Sequence, residues 1–366
     1  MISYGKQDIN EEDIKAVEKV LKSGYITQGP NIEKFEEQLA KYCGAKFAVA
    51  VNSGTAALHL AYIAAGIGKG DEVITSPNTF ASTVNMLIVL GAKPVFCDIR
   101  FDTYNIDEQK IEKLVTKKTK AIVPVDFAGH PYDYDTVKRI AKKYNLIVIS
   151  DSCEGLGGVY KGKKLGGIAD MATFSFHAVK SITTGEGGAI LTNNKRYFEK
   201  MRSLRSHGIH KNSKGKNVMI NLGYNYRLSD IGAALGISQL DRLNVFIKKR
   251  HQVVTWYKNA FKDFDKIVLP VELEKCNSAW HLYIIRTKKA SDKDKLMAFL
   301  RTKGIGTNFH FPAVYSHPYY KKMGYKGKRM HNMNSYHATC ITLPLHTQLT
   351  KKQVSYIVSC IKRFYA

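Results

Sequence analysis

No two of the six cysteines, Cys43, Cys97, Cys153, Cys276, Cys340 and Cys360, stand in a CxxC pair. Their scatter suggests neither a zinc site nor a disulfide framework and fits a reducing cytosol. No uncharged apolar run approaches the roughly 18 residues that cross a bilayer. The opening MISYGKQDINEED has no apolar core behind a basic start, so no secretory leader is expected. The chain therefore reads as soluble and cytoplasmic, with no membrane partner. Acidic residues are scarce: 31 Asp and Glu against 56 Lys and Arg give a net charge of +25. Such an excess raises nucleic acid as a partner. The lysines, however, are dispersed in pairs such as Lys117-Lys118, Lys142-Lys143 and Lys248-Lys249 rather than gathered in one arm. That pattern reads as solvated surface whose positive field favours anionic substrates, and no specific nucleic acid is expected.

Two nucleotide motifs are also missing. Gly155, Gly157 and Gly158 follow a strand pattern, but the third dinucleotide glycine would fall on Tyr160. Gly157 and Gly162-Lys163 have P-loop spacing, yet Lys164 replaces the hydroxyl residue that would hold magnesium, and GVYKGKKLGG reads as a polar turn. A 44% hydrophobic content excludes a disordered class, and 366 residues suffice for one large domain and one smaller one.

What is present is an alternation of strands and helices. Asn10 with Asp13 predicts a capped opening helix ending near Gly24, and Pro30 begins a second helix that Gly44 closes. Strands are expected over 46–51, 72–75, 94–98, 121–125 and 146–150, with helices over 58–65, 79–90, 107–115 and 132–144. This alternation predicts an α/β fold with a sheet covered on both faces and ligands outside the strands' carboxyl ends. A helix with Phe198, Met201 and Leu204 on one face follows, then the polar loop RSHGIHKNSKGKN, then a helix that Ser229 can cap. A long helix from about Val245 leads into a second α+β region. The division is therefore expected between 1–245, the N-terminal segment and large domain, and 246–366, a small C-terminal domain.

Several residues fall where a ligand would lie. Asn52-Ser53-Gly54-Thr55-Ala56 sits between a strand and a helix, either a tight βα turn or an anion site made of free backbone N–H groups. Asp151 directly follows the run NLIVIS, as a cap or as a functional carboxylate. Phe80, in SPNTFAST, either fills core or faces a ligand. Lys180 lies between the apolar run Met171–Phe176 and three glycines around Glu186, which would let backbone turn tightly and approach a ligand. Partial burial and neighbouring cations there would favour an uncharged, nucleophilic amine able to form a Schiff base. His207, His210, His310 and His317 lack ligand spacing, and no metal is expected.

The segment FSFHAVKSITTGEGG, with NSGTAAL, SPNTFAST, SDSCEGLG and GYNYRLSD in the same order, resembles the DegT/DnrJ/StrS family of pyridoxal-phosphate sugar aminotransferases. The likeness runs from ITQGP near the start to LPLH at Leu343–His346. It implies a fold-type I PLP transferase, aspartate aminotransferase-like, with pyridoxal 5′-phosphate on Lys180. By the same resemblance Thr55, Ala56 and Ser175 hold the cofactor phosphate, Phe80 stacks on the ring and Asp151 pairs its nitrogen. Asn225 is expected to reach the phosphate of a neighbouring subunit, making a homodimer with shared sites. Tyr4, His281, His310 and Tyr315 are the expected substrate contacts. Glu154 stands where the family often has His or Gln against the cofactor, and its role is open.

FHAVKSITTGEGG is similar to the branch acting on 4-keto-6-deoxy sugars, and VDFAG, RSHGIHK and LGYNYRLSD to its pseudaminic-acid type. The resemblance thus implies amino transfer from L-glutamate to a UDP-linked, N-acetylated 4-keto sugar in surface-glycan synthesis. UDP-viosamine, bacillosamine or dTDP-sugar 4-amination, 3-keto amination and dehydration stay open, although dehydratases carry histidine where Lys180 stands. A basic binding protein that has kept the fold is the rival from another class.

Overall fold

A computed structural model describes residues 1–366. Helix α1 (Glu11–Leu21) starts where the sequence places it: Asn10 Oδ1 accepts the Asp13 N–H and Asp13 Oδ2 accepts the Asn10 N–H. Pro30 opens α2 (Pro30–Cys43), and Gly44, at φ +67°, ends it in the left-handed conformation. A seven-stranded sheet follows: β1 (Phe47–Val51), β2 (Glu72–Thr75), β3 (Lys93–Phe96), β4 (Thr119–Val123), β5 (Ile147–Asp151), β6 (Met171–Ser175) and β7 (Gly188–Thr192). Its spatial order is β1-β7-β6-β5-β4-β2-β3. Only β7 runs against its neighbours, pairing antiparallel with both β1 and β6. The other pairings are parallel, so the carboxyl ends of β1, β5 and β6 meet at one edge together with the start of β7.

Helices cover both faces because these strands are apolar on both sides. On one face α3 (Gly54–Ala64) buries Leu58, Ala61 and Tyr62 against Val49, Ile149 and Ile190. On the other, α2 and α7 (Asp230–Asp241) bury Phe35, Leu39 and Ala233 against Phe174 and Leu191. Ser229 caps α7 by accepting the Gly232 N–H. Helix α8 (Leu243–Ala260) spans two cores: Leu243 and Phe246 belong to the second of these clusters. Val253, Val254 and Tyr257 join a separate core under a three-stranded sheet, β8 (Ile267–Val268), β9 (Tyr283–Thr287) and β10 (Cys340–Leu343).

Three segments depart from expectation. The stretch 107–115 is a short α turn (Glu108–Ile111) running into a 3-10 turn (Glu112–Leu114) rather than one helix. RSHGIHKNSKGKN contains half of an exposed hairpin, Ile209–Lys211 paired with Asn217–Met219. Its turn is set by Asn212 Oδ1, which accepts the N–H groups of Lys214 and Lys216, and by Gly215 at φ +72°. The polar segment GVYKGKKLGG is likewise a hairpin, Val159–Tyr160 with Lys163–Lys164.

Candidate active site

At the carboxyl edge of the large sheet lies a cavity of ≈ 470 Å³. The strand ends deliver its floor. Asp151 is the last residue of β5 and is buried, yet it lines the cavity. Thr83 in α4 (Ala81–Val89) donates its hydroxyl to Asp151 Oδ2 at 2.6 Å, and the Cys153 N–H donates to Oδ1 at 3.2 Å. Thr79 joins the chain at 2.7 Å from the Thr83 hydroxyl. No cation pairs with Asp151 inside the chain, so a buried carboxylate held in one orientation faces the cavity.

Lys180 follows β6 on a turn in which its own N–H donates to the His177 carbonyl at 2.9 Å. Its Nζ lies 3.5 Å from Glu154 Oε1, and His281 Nε2 lies 3.7 Å from the same oxygen. The other carboxylate oxygen, Oε2, accepts the Ala128 N–H at 2.8 Å. The partner beside Lys180 is thus a carboxylate, where the sequence pointed to cations. Burial pushes the Glu154 carboxyl above its ordinary range, against the opposing pull of Lys180. Burial, reinforced by the charge of Lys180, drives His281 well below the usual histidine range and His310 down to about 4. Both rings are therefore neutral near pH 7.

One wall is the start of α3. Ser53 caps this helix by accepting the Ala56 N–H at 3.1 Å, and the N–H groups of Gly54 and Thr55 precede any carbonyl of the helix that could take them. Ser175 closes on the same point: a Cβ added to Gly54 would stand 3.0 Å from Ser175 Cβ. This is an anion cradle of the kind helix N-termini form. The lining also includes Phe80, a residue 61% exposed although it lines a cavity, with Phe311 edge-on at 6.1 Å. Tyr4 and His310, with ring centroids 5.6 Å apart, complete the rim.

The glycines after Lys180 serve another purpose than the one expected. Gly185, at φ +79°, makes the turn. At Gly187 a Cβ would meet Thr184 Oγ1 at 2.1 Å, and at Gly188 it would meet the Ser53 carbonyl oxygen at 2.5 Å and the Gly54 nitrogen at 2.8 Å. Gly187 makes room for the Thr184 side chain and Gly188 lets backbone approach backbone, in neither case a ligand. Gly188 pairs with both Val51 and Ser175, so it pins the cradle to β6. Gly188→Ala is expected to destabilise the protein by ~1–3 kcal/mol, the usual range for overpacking, measurable by denaturant unfolding.

Of the residues singled out by sequence, Thr55, Phe80, Asp151, Glu154, Ser175, Lys180, Tyr4, His281 and His310 line this one cavity. Three expected residues do not. Tyr315 is buried elsewhere, edge-on to Phe96 and donating its hydroxyl to Asn334 Oδ1 at 2.7 Å. Ala56 sits behind the cradle with its N–H taken by Ser53, and Asn225 is exposed outside the cavity. Sequence reasoning missed Thr79 and Thr83, whose four-residue spacing was the available signal, and Cys153 and Phe311.

This fold, with a lysine on a turn opposite a strand-end carboxylate, is that of a fold-type I transferase. The chain belongs to the DegT/DnrJ/EryC1/StrS aminotransferase family, whose model matches residues 7–362. It is 40% identical over 98% of its length, and 96% of the relative's, to UDP-4-amino-4,6-dideoxy-N-acetyl-beta-L-altrosamine transaminase of Campylobacter jejuni serotype O:23/36. Helicobacter pylori PseC, an aminotransferase involved in the biosynthesis of pseudoaminic acid, superposes with a TM-score of 0.95 at 36% identity, over 99% of this chain and 98% of that one. The PLP-form of the putative sugar aminotransferase Spr1654 from Streptococcus pneumoniae gives 0.94 at 32% identity, over 99% and 98%. No helix of the chain is long and apolar enough to cross a membrane.

Proposed function

We propose that the chain transfers an amino group from L-glutamate to the 4-keto group of a UDP-linked, N-acetylated 4-keto-6-deoxy-hexose, in the cytoplasm, with pyridoxal 5′-phosphate as cofactor. The observation that carries this reading is the opening of Lys180, from the turn after β6, and Asp151, from the end of β5, into one cavity beside a helix N-terminus. The residues present fit that cofactor. Gly54 and Thr55 offer N–H groups and Thr55 and Ser175 hydroxyls to a phosphate, Phe80 is exposed in the cavity where an aromatic ring would lie, and Asp151 is a buried carboxylate with no cationic partner in the chain. When bound, the cofactor supplies the electron sink that amino transfer requires.

The chain's residues divide the remaining work. Lys180 Nζ holds the cofactor and, once displaced by the amino donor, moves a proton to and from the donor carbon. Asp151, fixed by Thr83, keeps the ring nitrogen protonated. Neutral His281 and His310 and the Tyr4 hydroxyl offer hydrogen bonds to the sugar without adding charge. Asn225 completes the phosphate site of a second copy, so the working unit is a homodimer with shared sites. The division into 1–245 and 246–366 falls within α8, the helix whose two ends enter separate cores. Substrate choice follows from the similarity to the Campylobacter enzyme and to PseC.

The test is incubation with glutamate and a panel of UDP- and dTDP-linked 4-keto-6-deoxy sugars, with the new amine located by NMR. Amination at carbon 4 of the UDP-linked N-acetylated sugar is expected. Amination at carbon 3, or equal activity on free keto acids, would overturn the assignment.

A further inference from the structure

Glu154 is a buried carboxylate that the division of work above leaves unused. It is not a structural ion pair of the surface kind. Its Oε1 is shared between Lys180 Nζ at 3.5 Å and His281 Nε2 at 3.7 Å, and its Oε2 has the single N–H of Ala128. The groups facing it are Lys180 from the turn after β6, His281 from the loop before β9, Asp151 from its own segment, and Tyr336 from the helix His331–Thr339.

We propose that Glu154 is the proton-exchange partner of Lys180: it takes the proton that the lysine must lose before its amine can act, and returns it afterwards. This inference rests on Lys180 being the working amine of the reading above. In the step, an Nζ–H bond of the ammonium breaks and an Oε1–H bond forms. Ammonium and carboxylate become amine and carboxylic acid, with no change in net charge and no other reactant.

Three features favour this acceptor. The Glu154 side chain is 5% exposed and that of Lys180 17%, so the pair lies largely out of water, where a neutral pair avoids part of the desolvation that a charged pair suffers. Burial already favours the protonated carboxyl at Glu154. The rival acceptor fails: His281 touches the same oxygen, but burial and the Lys180 charge hold it neutral, and its Nδ1 has no partner to stabilise a second proton. A glutamine or histidine at this position could hydrogen-bond the lysine, but neither provides a carboxylate that is neutralised by its proton. The departure at Glu154 is then a functional feature of this chain.

The experiment has two arms, both using Glu154→Gln. In the cofactor-free protein, infrared difference spectra are recorded through a pH titration. A protonated-carboxyl band persisting to near-neutral pH in the wild type and missing from Glu154→Gln is expected. In the cofactor-loaded protein, the single-turnover reaction with L-glutamate is followed by absorbance. The variant should keep its cofactor but react about 10²-fold more slowly, the lower range for a positioned acid–base group, with an altered pH profile. Absence of the infrared band, or a variant rate and profile matching wild type, overturns the proposal. A wild type inert towards glutamate would instead sink the functional reading, while the infrared arm still decides the protonation of Glu154. Should Glu154→Gln not fold, Glu154→Asp must keep a carboxyl band at a shifted position, and an unshifted band overturns the assignment.

Discussion

Lys180→Ala should reduce turnover by about 10⁴-fold or more, the upper end of what a positioned acid–base group contributes even before the loss of its covalent role is counted. The side chain is the only amine in the cavity lining, and its Nζ is held 3.5 Å from Glu154 on a turn whose backbone does not depend on it. Removing it should therefore leave the fold intact. Borohydride should bleach the visible colour of the loaded wild type and leave the cofactor fixed to Lys180 through a secondary amine, found by mass spectrometry of the peptide, and the variant should show no such adduct. Lys180→Arg sharpens the result. It restores the positive charge beside Glu154, but a guanidinium does not deprotonate in a protein, so it should be as inactive as alanine. An arginine variant with substantial turnover would mean that Lys180 acts only through its charge. An alanine variant with substantial turnover would remove it from the chemistry altogether.

The parts of this site legible in sequence are those encoded within a few residues. The Asn10–Asp13 capping box, Pro30 at a helix start and Gly44 at its end each act over one turn of backbone, and each is found where the residues predict. Strand 72–75 is apolar through its centre because both faces of the sheet are covered, and that too is local. What was not legible depends on partners far along the chain. His281 and His310 reach Lys180 and Tyr4 only after the small sheet has folded against the large one. Tyr315 could not be told from a cavity residue, because its exclusion rests on Phe96 and Asn334. Gly187 and Gly188 read as ligand-facing because a glycine-rich turn looks the same whether backbone or ligand comes close. The approach of Ser53 at Gly188 is set by the pairing of β7 with β1. The resemblance of the five motifs supplied the grouping that these long-range contacts create.

Asp151→Ala should show the second large effect, with its own signature. In the proposed function the carboxylate keeps a proton on the cofactor's ring nitrogen, and within the chain it has only a hydroxyl and an N–H for company. Breaking a buried charge pair by removing one partner costs about 3–5 kcal/mol. If that loss falls on the transition state, where electron density moves into the ring, the rate should fall about 10²- to 10⁴-fold. Cofactor should still load, weakly, because the helix-start cradle and Lys180 are untouched. Asp151→Asn separates charge from shape. Its amide oxygen can still accept from Thr83, so orientation survives while the charge is lost, and turnover should fall nearly as far as with alanine. An asparagine variant close to wild type would show that Asp151 serves to anchor Thr83 and α4 rather than to hold a proton on the ring. Absorbance of the loaded protein distinguishes the cases, since loss of the ring proton should shift the visible band and its pH dependence, whereas a purely structural role would change how much cofactor is bound and leave the band where it was.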